Sequence, residues 1–248
     1  MDVREVLELY REGKISGEEA EKALRTDYIE TIGNEVNMDL GRQARKGVPE
    51  VVYARTKTPG TVEKILRSSA GRVLVSGAKE EHCEAVKDIE GIEFFKEYGC
   101  IVLGGFPEEK YGAIAVITAG TSDIPVAGEA MLMSRMMGCR CIEYFDIGVS
   151  GIHRLIEPMK ETIREDVAAI VAVAGMEGAL PTLISSLSPV PVIGVPTSTG
   201  YGFGGDGTAA LMGMLQSCSP GLSVVNIDNG IGAGAVAAMI SRGRSNKK

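Results

Sequence analysis

The second half of the chain alternates between apolar runs and helical patterns. Apolar, branched runs of strand length occur at 113–120, 141–146, 168–175, 191–196 and 222–228. Helical patterns separate and follow them at about 126–138, 150–165, 178–187, 206–217 and 231–242. Strands that are apolar along their whole length are buried on both faces, as in parallel sheets. The alternation therefore predicts right-handed βαβ units in a doubly wound parallel sheet, a three-layer α/β/α arrangement.

The first half carries shorter elements with less regular spacing. Ser16 and Glu19 are typical of a capping box at a helix start, and Thr58 followed by Pro59 is typical of an N-cap and first turn. Helices are predicted at 3–10, 17–25, 37–47 and 59–67, and strands at 51–53, 72–76 and 100–104. This pattern predicts a smaller α+β domain.

The distribution of charge separates the same two halves. Residues 1–110 contain 39 charged residues, whereas residues 111–248 contain 20. The change falls at PEEKYG, residues 107–112, where one pattern ends and the other begins. We therefore expect an N-terminal α+β domain at 1–110 and a second domain at 111–248.

Overall charge and cysteine usage narrow the class of protein. The net charge of −7 argues against a nucleic-acid-binding protein, which would show a basic patch. No apolar run approaches the ~18 residues of a membrane span, and the charged first residues show no secretory signal. Five cysteines, an odd number without a CxxC pair, argue against a disulfide framework and a zinc site. We expect a cytoplasmic protein with reduced thiols that binds neither nucleic acid nor membrane.

Ligands of doubly wound sheets bind at the carboxyl ends of the strands, so the residues after each strand are candidates. After the first strand, Gly120 permits close backbone approach, and Thr121, Ser122 and the next helix N-terminus offer donors to an anion. A plain helix cap by Ser122 or Asp123 explains the same residues.

After the second strand come Asp146, His153 and Arg154. The last two suit a phosphate near the start of a helix, and a turn followed by a solvated helix face is the alternative. The segment 196–207, after the fourth strand, alternates Gly with Thr, Ser and Tyr. Such a loop either closes over a ligand or is simply flexible.

Glu177 follows the third strand and stands between Gly175-Met176 and Gly178. It could interact with the dipole of the next helix. As a site carboxylate it would be partly desolvated and suited to take a proton. Cys218 ends a predicted helix, and taken alone it is best explained as an inert structural thiol, because a helix C-terminus does not activate a thiol.

Six stretches of the sequence together resemble the LarB family, the pyridinium-3,5-biscarboxylic acid mononucleotide synthases of nickel-pincer cofactor biosynthesis, which serves lactate racemase maturation. The stretches are NMDLGRQARKGVPEVVYARTKTP, ITAGTSDIPVA, YFDIGVSGIHRL, VAVAGMEGALPTLI, PVIGVPTSTGYG and LQSCSPGLSVVNIDNGIGAG. The similarity runs from about residue 35 to residue 241. The second half also resembles the PurE core, phosphoribosylaminoimidazole carboxylase, in AGMEGALP and PVIGVP. PurE has a His in the first of these stretches, whereas this sequence has Glu177 two residues earlier and no His.

The resemblance implies a PurE-like catalytic domain that carboxylates the pyridinium ring of nicotinic acid adenine dinucleotide and hydrolyses its phosphoanhydride, releasing AMP. Carbon dioxide or bicarbonate would be the co-substrate, Mg²⁺ would accompany the pyrophosphate, and the protein would be a homo-oligomer. The resemblance makes Cys218 the nucleophile that adds to the ring and Glu177 the base that removes the ring proton. The substrate-binding residues would be Gly120, Thr121, Ser122, Asp123, Asp146, His153, Arg154, Gly175, Met176, Gly178, Thr197, Ser198, Gly200 and Tyr201.

Two other functions remain open on the sequence. One is a carboxylase or mutase of aminoimidazole ribonucleotide in purine biosynthesis, against which the missing His counts. The other is a non-catalytic dinucleotide sensor built on the same sheet. Such a sensor would need neither Cys218 nor Glu177.

Overall fold

The computed structural model describes residues 3–20, 30–32, 36–38, 47–69 and 71–245. The first half contains a mixed sheet with strand order β3-β4-β6-β5, in which β3 and β4 are parallel and the other pairs antiparallel. A separate pair, β1 and β2, is antiparallel. The elements are α1 Val3–Arg11, β1 Glu30–Ile32, β2 Val36–Met38, β3 Glu50–Tyr53, α2 Pro59–Ser68, β4 Val73–Ser76, α3 Glu80–Val86, β5 Ile92–Phe95 and β6 Cys100–Leu103.

The second half forms one parallel sheet of five strands in the order β11-β10-β9-β7-β8. Its elements are β7 Tyr111–Thr118, α4 Ile124–Met136, β8 Cys139–Tyr144, α5 Ile156–Arg164, β9 Ala169–Ala174, α6 Ala179–Leu187, β10 Val192–Pro196, α7 Thr208–Leu215, β11 Leu222–Val224 and α8 Gly230–Ser245. The predicted doubly wound α/β sheet is confirmed. The smaller N-terminal part with a mixed sheet is confirmed as well.

Helices cover both faces of the parallel sheet. One apolar cluster joins the sheet to α4 and α8, and a second joins its other face to α5, α6 and α7. The first cluster also contains Leu74 of β4 and Val102 of β6, so α4 lies between the two sheets. The outer face of the N-terminal sheet packs against α2 and α3. The two halves therefore share a core along α4.

The glycine-rich start of α8 is explained by close helix packing. A Cβ on Gly230 would lie 2.1 Å from the carbonyl oxygen of Val126, and one on Gly234 would lie 2.3 Å from that of Ala130. Both contacts are to the backbone of α4, where no larger residue fits. The glycines of NGIGAG thus bring α8 against α4.

Two helix starts in the first half agree with their sequence signals. The N–H of Ser16 donates to the Glu19 carboxylate at 2.8 Å, and the N–H of Glu19 donates to Ser16 Oγ at 3.1 Å. Residues 17–20 are helical, and the rest of the predicted helix 17–25 lies outside the described residues. Thr58 caps α2 by accepting a hydrogen bond from the N–H of Thr61 at 3.2 Å.

Two other predictions need correction. The predicted helix 37–47 is wrong at its start, because residues 36–38 form strand β2; residues 39–46 lie outside the described residues. The predicted helix 150–165 begins instead as a 3-10 segment, 149–155, in which Gly151 has non-helical backbone angles. Helix α3 and strand β5 were not predicted, because neither has a clear apolar period.

Each sheet lies on one side of residue 110, and the domain boundary at 110/111 stays a prediction. In the part of the chain that the structure describes, no helix is long and apolar enough to cross a membrane.

Candidate functional site

A cavity of about 470 Å³ opens at the carboxyl ends of the parallel strands. Its lining comes from four segments that follow β7, β8, β9 and β10: 119–123, 148–150, 174–180 and 199–201. Eight predicted site residues line it: Gly120, Ser122, Asp123, Gly175, Met176, Glu177, Gly200 and Tyr201. The structure therefore brings together residues that are far apart in sequence.

Asp123 is a buried carboxylate that joins two of these segments. One oxygen accepts hydrogen bonds from the hydroxyls of Thr197 and Thr199, at 2.7 and 2.9 Å. The other accepts from the N–H of Gly120 at 2.9 Å. Asp123 is 3% exposed, so its main role is to hold the loops after β7 and β10 together. The side chain of Asp123 lies in the cavity wall and does not cap the following helix, which corrects the helix-cap interpretation for this residue.

The turn after β9 is tightly built. A Cβ on Gly175 would lie 3.0 Å from the hydroxyls of Thr197 and Thr199. Met176 has a φ of 50°, in the left-handed region that costs a non-glycine residue about 1–2 kcal/mol. The N–H of Gly178 closes the turn on the carbonyl of Gly175 at 2.9 Å. This geometry places Glu177 on the cavity wall.

The Glu177 side chain is exposed, which corrects the expectation of a partly desolvated carboxylate. The backbone of Glu177 packs closely against α7, because a Cβ on Gly213 of that helix would lie 2.3 Å from the Glu177 carbonyl oxygen. Among the residues that line the cavity, Glu177 and Asp123 are acidic and none is Arg, Lys or His. A cavity with this charge favours the cationic part of a ligand.

Arg154 and Asp146 form an ion pair beside the cavity. Arg154 Nη1 donates to the Asp146 carbonyl at 2.6 Å and to its carboxylate at 2.9 Å. Neither residue lines the cavity, but Arg154 lies near Gly148, which does. His153 is exposed in the same 3-10 segment. Arg154 therefore stands at the rim, where it can meet an anion outside the cavity, and His153 precedes it on an exposed stretch of the same segment.

Ser198 points away from the cavity lining toward Asp228. The Ser198 N–H and hydroxyl donate to the two Asp228 carboxylate oxygens at 2.9 and 2.6 Å. Asp228 has a φ of 57°, and sequence reasoning did not single it out. The available signal was its place in NIDNG, since Asp adopts the left-handed conformation more readily than most residues. Of the other predicted residues, Thr121, Thr197 and Gly178 do not line the cavity.

Cys218 is exposed and does not line the cavity of its own chain. It lies between α7 and β11, and hydrogen bonds of this segment place it toward the amino ends of the strands. Gly221 O accepts from the N–H of Val192, the first residue of β10, and Pro220 O accepts from the hydroxyl of Ser185 in α6. One chain therefore does not bring the predicted nucleophile and base together.

The other four thiols fit a structural role. Burial raises the pKa of each, to about 12 for Cys141 and well above the usual range for Cys100. The same cause raises the pKa of Cys83 and Cys139. Within the described residues, no three His, Cys, Asp or Glu side chains come together as a metal site.

Comparison with known families identifies both halves. Residues 29–103 match the LarB/PurE-like N-terminal domain, and residues 113–247 match AIR carboxylase. The chain belongs to the LarB family. Its C-terminal core is PurE-like, and both matches support an enzyme of the carboxylase or mutase type.

Relatives of this LarB chain differ in how much of it they cover. An uncharacterized protein of Methanocaldococcus jannaschii is 41% identical over 255 residues, covering 97% of each chain. The N5-carboxyaminoimidazole ribonucleotide mutase of the same organism is 32% identical over 130 residues, 51% of this chain and 77% of the mutase. The mutase of that name from Thermotoga maritima is 31% identical over 131 residues, 51% of this chain and 73% of its own. Similarity to the mutases thus extends over about half of the LarB chain.

Proposed function

We propose that this protein carboxylates the pyridinium ring of nicotinic acid adenine dinucleotide and hydrolyses its phosphoanhydride. The products are pyridinium-3,5-biscarboxylic acid mononucleotide and AMP. The observation that carries this proposal is the negative charge of the cavity. Glu177 and Asp123 line it, and none of the other lining residues is Arg, Lys or His. A positively charged pyridinium ring complements that wall, whereas a neutral imidazole does not. The anionic phosphates would remain at the rim, near His153 and Arg154.

The ring is electron-poor and cannot attack carbon dioxide directly, so a nucleophile must add first. In the proposed reaction the Cys218 thiolate forms a C–S bond and leaves a neutral dihydropyridine. That enamine forms a C–C bond to carbon dioxide, and the positive charge returns to the ring nitrogen. Glu177 then removes the proton from the carboxylated carbon. Loss of the thiolate restores the aromatic pyridinium, so the carboxylation balances without an oxidant. In the separate hydrolysis, water attacks one phosphorus of the pyrophosphate, the bond from that phosphorus to the bridging oxygen breaks, and AMP leaves.

The position of Cys218 adds a requirement to the proposal. Because its side chain is exposed and lies outside the cavity of its own chain, the thiol must come from a second copy. The proposed enzyme is therefore a homo-oligomer with sites between copies. Its five free thiols agree with the reducing cytoplasm as its compartment.

Mg²⁺ would interact with the pyrophosphate oxygens of the substrate. The described residues supply no set of three acidic, Cys or His ligands for it, and the Asp123 oxygens already accept three hydrogen bonds.

The second candidate is an aminoimidazole ribonucleotide mutase or carboxylase, which the 32% identity to the Methanocaldococcus mutase favours. The similarity to the mutase covers 51% of the chain. The match of residues 29–103 to the LarB/PurE-like N-terminal domain is separate evidence, and it supports a reaction of the LarB type. The whole chain therefore favours the pyridinium substrate.

The deciding experiment is mass spectrometry of products from purified protein, nicotinic acid adenine dinucleotide and isotopically labelled bicarbonate. We expect a labelled dicarboxylated pyridinium mononucleotide and AMP, formed only when bicarbonate is present. A parallel reaction with aminoimidazole ribonucleotide is the comparison. Carboxylation or rearrangement of the imidazole, with the dinucleotide untouched, would establish the second candidate instead.

A further inference from the structure

Glu129 is a buried carboxyl group for which the proposed reaction has no use. It lies in α4 and is 7% exposed. Burial raises its pKa, while the Ser76 hydroxyl, Arg55 and the Ile231 backbone lower it and Asp228 adds to the rise. A buried carboxyl is costly unless it makes specific interactions. The groups that contact Glu129 therefore indicate what this carboxyl group does in the structure.

The first partner belongs to the N-terminal half. The Ser76 hydroxyl donates to Glu129 Oε1 at 2.5 Å, across 53 residues of sequence. Ser76 is the last residue of β4 and fully buried, and strand alternation places it on the same face as Leu74, toward α4. The hydrogen bond therefore fixes the end of an N-terminal strand to α4.

The second contact of Glu129 is the start of α8. A Cβ on Gly230 would lie 3.1 Å from Glu129 Oε2, so the backbone there rests against the carboxyl group. Two residues earlier, the Asp228 carboxylate accepts the Ser198 N–H and hydroxyl. Ser198 lies between the two threonines that bind Asp123 in the cavity wall.

We propose that Glu129 is a positioning residue through which the N-terminal half sets the cavity wall. Ser76 holds Glu129, and Glu129 supports the first turn of α8. Asp228 lies two residues before that helix and holds the loop 197–199. The N-terminal domain thus acts on the site without lining it. This inference holds whichever substrate the cavity binds.

The test measures amide hydrogen exchange of the peptide that contains Ser198, with no substrate present. Ser76→Ala removes the donor to Glu129, and we expect this peptide to exchange roughly fivefold to tenfold faster, as expected from losing one buried hydrogen bond. The matched control is Ser134→Ala. Ser134 is a fully buried serine of α4 whose hydroxyl donates to the Gly234 carbonyl of α8 at 3.2 Å, a hydrogen bond within the C-terminal half.

We expect Ser134→Ala to leave the exchange rate at Ser198 within about twofold of the wild-type rate. Its melting temperature should fall by about as much as that of Ser76→Ala. Glu129→Gln keeps an acceptor for Ser76 and should preserve protection, whereas Glu129→Leu should lose it. Two results would overturn the proposal. One is unchanged exchange at Ser198 in folded Ser76→Ala and Glu129→Leu; the other is an equal increase in Ser134→Ala, which would indicate general loosening.

Discussion

At the scale of single residues, three carboxyl groups near the carboxyl ends of the strands differ in their surroundings. Asp123 is buried and saturated by two hydroxyls and a backbone N–H, and Glu129 is buried against the N-terminal half. Glu177 is exposed in the cavity, on a turn strained at Met176. Glu177 is thus the carboxylate best placed to exchange a proton with a bound ligand.

Glu177→Gln should therefore block proton removal without removing the cavity. Loss of a general base typically lowers the rate about 10²–10⁴-fold. The similar shape of Gln keeps the substrate bound, more weakly because one of the two negative charges in the cavity wall is lost. Intact-mass analysis after mixing with substrate and bicarbonate should show an adduct on Cys218 that turns over slowly. Wild-type turnover, or loss of binding, would mean that the base lies elsewhere.

Glu129→Gln should change how stability depends on pH. Because burial raises the pKa of Glu129, the folded state holds the proton to higher pH than the unfolded chain. Ionisation then costs stability as pH rises above the usual carboxyl value, by about 1.4 kcal/mol for each tenfold difference in proton affinity. Urea unfolding should show Gln gaining on wild type between pH 4 and pH 8.

Glu157→Gln is the control for that measurement. Exposed Glu157 has its pKa lowered by Lys160 and Arg164, so its contribution is present at neutral pH and lost in acid. Its substitution should give a small effect of opposite sign. An identical difference between Glu129→Gln and wild type at both pH values would show that the carboxyl is not titrating in this range.

At the scale of elements, Gly213 of α7 packs against the turn that carries Glu177. Ala has a higher helix propensity than Gly, but a Cβ here would lie 2.3 Å from the backbone oxygen of Glu177. Gly213→Ala should therefore cost about 1–3 kcal/mol, as overpacking does, and should lower turnover by displacing Glu177. Thermal melts and the product assay measure both effects.

Gly243→Ala provides the helical control, because nothing lies within 4 Å of a Cβ at that position of α8. It should stabilise the protein by about 0.5–1 kcal/mol and leave turnover unchanged. If Gly213→Ala behaved in the same way, the contact with Glu177 would be irrelevant to the site.

The elements that the sequence predicted well are those with a distinct pattern of hydrophobic residues within the element itself. The continuous apolar runs predicted all five parallel strands. Burial on both faces explains the pattern in β7, β9 and β10, whereas the edge strands β8 and β11 are only partly buried. The 3-10 segment 149–155 and the left-handed Met176 depend on distant contacts, so no local pattern marked them. The exposure of Glu177 could not be predicted either, since it depends on how four loops meet.

At the scale of the whole molecule, the position of Cys218 follows from topology. In a parallel sheet, segments after a strand lie at the carboxyl edge and segments before a strand lie at the amino edge. Cys218 comes directly before β11 in the chain. The predicted order of helices and strands along the chain therefore places it at the amino edge, away from the cavity of its own chain. Motif similarity identifies the residue, and the topology of the sheet gives its position.

Exposed apolar side chains near the segment that contains Cys218 indicate where two copies of the chain meet. Phe203 is fully exposed beside the cavity, and Met212 and Leu215 of α7 are each 65% exposed. Exposed apolar patches on soluble proteins commonly mark interfaces. An interface over α7 would cover these side chains and bring the segment that contains Cys218 close to another chain.

Mixing two inactive variants tests whether the site is shared. Cys218→Ser lacks the proposed nucleophile and Glu177→Gln lacks the proposed base, so each alone should be inactive or nearly so. If the thiol of one copy serves the cavity of another, random co-assembly leaves about a quarter of the sites with both wild-type residues, and activity should return to that extent. The variants are co-expressed with different tags and purified through both. Absence of recovery in verified mixed oligomers would contradict a shared site, because thiol and carboxylate would then have to act within one chain.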